Sequence, residues 1–86
     1  MARLAPAIVA LLIARGDEML ARGDISAARL LYTRAASAGS AAAATAMGRS
    51  FDPAVLGELG ARGIRPDPEQ AAYWYRRATE LGATRQ

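Results

Sequence analysis

Few residues of this chain are of a type that does chemistry. Asp17 and Glu18 offer adjacent carboxylates, Ser26, Ser37, Ser40 and Ser50 offer hydroxyls, and Gly60-Ala61-Arg62-Gly63 offers a short glycine loop. Neighbouring residues on a helix point about 100° apart, so Asp17 and Glu18 form a solvated edge rather than a general acid/base pair. A serine nucleophile needs a base, and the chain contains no histidine; it also has no cysteine, which removes disulfides and thiolate metal sites. The glycine loop lacks the preceding strand and the following lysine of a phosphate cradle. The expectation is a chain with no catalysis, no metal and no cofactor.

Two further patterns invite a binding function. Arg-Gly-Asp occurs at Arg15-Gly16-Asp17 and at Arg22-Gly23-Asp24, and the aromatics gather at Tyr73-Trp74-Tyr75. An adhesion tripeptide needs an exposed loop tip. The first copy instead falls inside a helical stretch, where Gly16 would permit a close helix crossing, and the second reads as a helix stop followed by a cap. Three consecutive helical aromatics point in three directions, which places Trp74 and Tyr75 inside and Tyr73 at the margin, rather than building a stacking platform.

The elements that must carry these residues are helices, since no period-2 run is present. Pro6 opens the first, which runs to Arg22. Its apolar residues Leu4, Ile8, Val9, Leu11, Leu12, Ile13, Met19 and Leu20 cover about half its circumference, more than a simple surface helix needs. Leu4 to Ala14 is too short to span a bilayer, which takes about 20 residues, and a buried helix is a better reading of it than a signal-peptide core. Asp24 caps a second helix, Ile25 to Ala38, with Ala28, Leu31, Tyr32, Ala35 and Ala38 on one face, and Gly39 stops it. Ser40 caps a third, Ala41 to about Ser50. Asp52-Pro53 opens a short fourth helix to about Leu59. Asp67-Pro68-Glu69-Gln70 resembles a capping box and opens the last, from Pro68 to about Leu81, with Gly82 as its stop.

All eleven basic residues are arginine, and alanine makes up about a quarter of the 86 residues, as in a GC-rich bacterial genome. The net charge of +3 is spread along the chain beside acidic residues. Arg29, Arg76 and Arg77 read as surface charges, and the absence of a basic stripe interleaved with aromatics argues against nucleic acid.

Self-similarity organises the chain. The stretch from Asp24 to Gly39 matches that from Asp67 to Gly82 without a gap, pairing Ala28 with Ala71, Leu31 with Trp74, Tyr32 with Tyr75, Arg34 with Arg77 and Ala35 with Ala78. The string Asp67, Ala71, Trp74, Tyr75, Ala78, Gly82 resembles the second helix of the Sel-one-like repeats of the tetratricopeptide-like superfamily, with Met47-Gly48, Phe51, Gly60, Gly63 and Ile64 standing for the preceding region. The copy from Asp24 is degenerate, with Leu31 for tryptophan, and the first helix does not match the family's first-helix pattern. The resemblance implies an all-α stack of about two helical hairpins, four to five helices in all. It divides a single 1–86 domain into hairpins 1–39 and 40–82, with a short inserted helix near 53–59 and a tail at 83–86.

As the resemblance implies, the chain is a non-catalytic, bacterial protein-interaction scaffold. First helices would line its groove, making Arg15, Glu18, Thr45 and Arg49 the candidate contacts with a protein or peptide. The alternative is an oligomerisation or capping domain of a larger chain. Ile8, Leu11, Leu12 and Met19 are the candidates for self-association, as a homodimer or against further repeats of a longer array. The chain is expected to be soluble, with the cytoplasm favoured over the periplasm.

Overall fold

The computed structural model describes residues 4–61 and 63–83. These form α1 (Pro6–Ala21), α2 (Ile25–Ser37), α3 (Ala41–Phe51), α4 (Pro53–Leu59) and α5 (Pro68–Ala83), with no strand among the described residues. The all-α expectation therefore holds.

Local chemistry explains most boundaries. Gly23, Gly39 and Gly60 take the left-handed conformation, at φ 85°, 99° and 65°. At each, the next residue donates its N–H to the carbonyl five positions back: Asp24 to Met19, Ser40 to Ala35 and Ala61 to Leu56. The helices that follow begin on side-chain caps. Asp24 accepts from the Ala27 N–H at 3.1 Å, Ser40 from Ala43 at 3.0 Å, Asp52 from Ala54 at 2.9 Å and Asp67 from Gln70 at 3.1 Å. Both Arg-Gly-Asp copies lie where expected, one inside α1 and the other at the α1–α2 turn.

Two endings differ from expectation. The Asp67 N–H, which a capping box would give to the Gln70 side chain, donates instead to the Phe51 carbonyl at 2.9 Å. Gly82 does not stop α5 but lies within it, and its φ is not positive. Glycine permits a helix stop without enforcing one.

The helices pack in sequence, α1 on α2 and α2 on α3, with α5 against α3 and α4 touching α3 beside it. Alanines make the close contacts: Ala35 and Ala36 of α2 meet Ala43 and Ala44 of α3, all buried. Val9, Leu12 and Ile13 of α1 and Trp74, Ala78 and Leu81 of α5 close over them. A second cluster gathers Ala28, Tyr32 and Met47, against which Met19, Leu20, Phe51 and again Trp74 pack. On α2, Ala38 departs from the predicted face and is exposed, while Ile25 and Ala36 are buried.

Candidate functional site

The two tyrosines paired by the repeat are built into one device, made twice. The Tyr32 ring on α2 lies against Gly16 of α1, so close that a Cβ there would sit 2.5 Å from the ring; its hydroxyl donates to Asp17 at 2.5 Å. The Tyr75 ring on α5 lies against Gly48 of α3, where a Cβ would sit 2.6 Å away, and its hydroxyl donates to Asp52 at 2.8 Å. In each hairpin the second helix reaches across a glycine of the first to a carboxylate beyond it.

Burial foremost, then the bonded aspartate, hold both phenols protonated well above their usual range, Tyr75 up to about 12. Asp52 is held below the usual carboxylate range, first by the Tyr75 hydroxyl and then by the Ala54 N–H. Arg49 lies within electrostatic reach of Tyr32, Tyr75 and Asp52, opposing the two tyrosine shifts and reinforcing that of Asp52. It stands exposed between the two tyrosine–aspartate pairs, and among the described residues no carboxylate lies within 4 Å of its guanidinium.

Of the four predicted contact residues, all are exposed, but they do not form one group. Thr45 and Arg49, one turn apart, share a face of α3. On α1 the carboxylate bonded to Tyr32, whose phenol Arg49 reaches electrostatically, is Asp17. At about 100° per residue Arg15 lies about 200° from Asp17 and Glu18 about 100° from it, so Arg15 belongs to the opposite flank. Along the Asp17 side, Pro6, Ala10 and Ile13 continue the same face, and a shallow apolar groove opens there between Leu4, Ala5, Pro6, Val9, Ala10 and Ile13 of the α1 end and Ala38 and Ser40. The groove is thus bounded by the first half of α1 and the turn before α3, and Asp17 and Arg49 stand two to three turns farther along those helices. Sequence reasoning missed Asp17 and Asp52 as fixed carboxylates, because their tyrosine partners lie on the following helix.

The other candidates are structural. Ser50 is buried, donates from Oγ to the Met47 carbonyl at 2.7 Å and accepts the Arg29 Nε at 3.3 Å. Arg29, expected on the surface, is half-buried. Its Nη2 donates to the Ser50 carbonyl at 2.5 Å and its guanidinium lies 3.8 Å over the Phe51 ring. Burial pulls its pKa down, and Asp67 opposes this. Tyr73 is 48% exposed and meets Trp74 edge-on, with Trp74 and Tyr75 half-buried. Ile8 and Leu11 are exposed at 44% and 53%, whereas Leu12 and Met19 pack inward on the two core clusters. No helix among the described residues is long and apolar enough to cross a membrane.

Comparison with known families gives a match to the Sel1 repeat over residues 1–40 and again over 41–82. No curated protein and no solved structure matches the chain. The first match corrects the sequence reading, in which the resemblance began at Asp24 and the first helix stood outside it. Gly16 and Asp17 are to Tyr32 what Gly48 and Asp52 are to Tyr75, although the carboxylate directly follows the glycine in the first hairpin and comes one turn later in the second. Sel1 repeats are tetratricopeptide-like helical hairpins that generally mediate protein–protein interaction. With both hairpins matched over nearly its whole length, the chain belongs to the Sel1 repeat family.

Proposed function

We propose that the chain is a bacterial, non-catalytic interaction scaffold that takes a protein or peptide segment in the groove along α1 and α3. The observation that carries this reading is Arg49, an exposed cation flanked by two tyrosine-anchored carboxylates and lacking a carboxylate within 4 Å among the described residues. At about 1.5 Å per residue, Asp17 lies about 10 Å along α1 from Ala10, and Arg49 about 14 Å along α3 from Ser40. A segment that seats an apolar side chain at one end and a carboxylate on Arg49 at the other fits this spacing.

Affinity capture with the intact chain, Ala10→Arg and Arg49→Glu tests it. The intact chain should retain a partner that both variants lose while remaining folded. Retention by both variants overturns the assignment of the groove.

The exposure of Ile8 and Leu11 on α1 favours a second reading, in which the chain is an oligomerisation or capping element. Sedimentation of the intact chain over a wide concentration range separates the two, because the groove reading requires no self-association.

A further inference from the structure

Asp52 follows Arg49 by three residues, ending α3 and opening α4, yet the two do not pair. Arg49 is within electrostatic reach of Asp52, but among the described residues no carboxylate lies within 4 Å of its guanidinium. Opposite charges three residues apart are neighbours on a helix and can bond, as Arg77 and Glu80 do on α5 at 3.4 Å. Asp52 is therefore held away from a partner that stands beside it.

The restraint lies at its two carboxylate oxygens. Oδ2 accepts the Tyr75 hydroxyl at 2.8 Å, and Oδ1 accepts the Ala54 N–H at 2.9 Å. The first donor belongs to α5 and the second to the first turn of α4. Each oxygen keeps a second lone pair, so neither bond excludes arginine by itself. Together they fix the plane of the carboxylate and draw on its charge. Arg49 is exposed, with guanidinium donors available to whichever carboxylate can turn toward them.

We infer that Tyr75 and the first turn of α4 form a latch that keeps Asp52 from closing on Arg49, and so keep Arg49 open for the carboxylate of a partner. Asp52 is then an internal competitor for that cation, released when α5 shifts from α3 or when α4 loses its cap. Of the α4 residues only Leu56 is buried, which makes α4 the weaker of the two tethers. The state of the second hairpin thereby decides whether Arg49 is offered, and by reciprocity a carboxylate bound to Arg49 favours the latched hairpin. The inference rests on the groove reading above and adds its regulation.

Tyr75→Phe removes the hydroxyl and keeps the ring against Gly48, so helical circular dichroism should be unchanged. Nitrogen-15 resonances of the Arg49 side chain report the latch, because an ion pair slows rotation of the guanidinium and exchange of its Nε proton. In the intact chain they should be those of a free arginine. In Tyr75→Phe they should show pairing, and in Tyr75→Phe/Asp52→Asn the pairing should vanish. With acetate as the carboxylate probe at constant ionic strength, Arg49 should bind on the order of twofold more weakly in Tyr75→Phe, the scale of a surface ion pair, and the double variant should recover. A merely structural loss at Tyr75 would not be rescued at Asp52. An Arg49 that stays free in Tyr75→Phe, or pairs there without losing its response to acetate, overturns the inference and leaves the groove reading standing. If Asp52→Asn alone frees an Arg49 that is already paired in the intact chain, both fall.

Discussion

At the scale of single residues, glycine and tyrosine define each hairpin together, and the two kinds of helical glycine respond oppositely to one added carbon. Gly48→Ala puts a methyl group into the Tyr75 ring, which is tethered by its hydroxyl and has little freedom to yield. A loss of about 1–3 kcal/mol in urea unfolding is expected. Gly57→Ala in α4 meets nothing within 4 Å and needs no unusual backbone, so the same measurement should show a gain of up to about 1 kcal/mol from helix propensity.

The tyrosines also set an alkaline limit. A phenol ionises near pH 10 in the unfolded chain, and Tyr75 only near 12 in the folded one. Its contribution is complete below about pH 10 and is lost as the pH rises through 12, because the unfolded state releases its proton first. Tyr75→Phe should therefore weaken the fall in melting temperature between those pH values. The Asp52 shift acts at the opposite limb, contributing above the usual carboxylate range and fading as acid protonates it. The repeat register showed that Tyr32 and Tyr75 are equivalent. Their acceptors were not legible, because a hydrogen bond between successive helices leaves no local pattern, and Asp17 read as a solvated acid.

At the scale of elements, the helix starts were legible because a cap is local chemistry: Asp24, Ser40, Asp52 and Asp67 each satisfy an N–H two or three residues away. What tertiary contact decides was not legible. The Phe51 carbonyl claims the Asp67 N–H, and Arg29 leaves the surface to bind the end of α3. Arg29→Ala removes two hydrogen bonds and the contact with Phe51 at once. It should cost about 1–2 kcal/mol in thermal or chemical melts, whereas Arg76→Ala, exposed on α5, should change stability by less than about 0.5 kcal/mol.

At the scale of the whole molecule, Trp74 joins the hairpins, packing on both core clusters and so on residues of α2 and α3 together. Because α2 and α3 belong to different hairpins, its emission and the far-ultraviolet circular dichroism should follow one coincident unfolding transition; separated midpoints would show hairpins that melt independently. The groove was only half legible in the sequence. The first helix lines it as expected, but through Pro6, Val9, Ala10 and Ile13 rather than Arg15 or Glu18, because the packing of α2 decides which side of α1 turns inward.

The neck at Phe51 and Asp67 has a use of its own. The chain leaves the end of α3, makes its excursion through α4 and returns to a backbone hydrogen bond of 2.9 Å, so both ends of that excursion are already held side by side. Closing a longer loop between fixed ends costs only about 0.6 kcal/mol for each doubling of its length. The segment between Gly60 and Gly63 is thus a port for foreign sequence: an epitope or recognition loop inserted there would be displayed by a small, cysteine-free helical carrier without altering either tyrosine–aspartate lock.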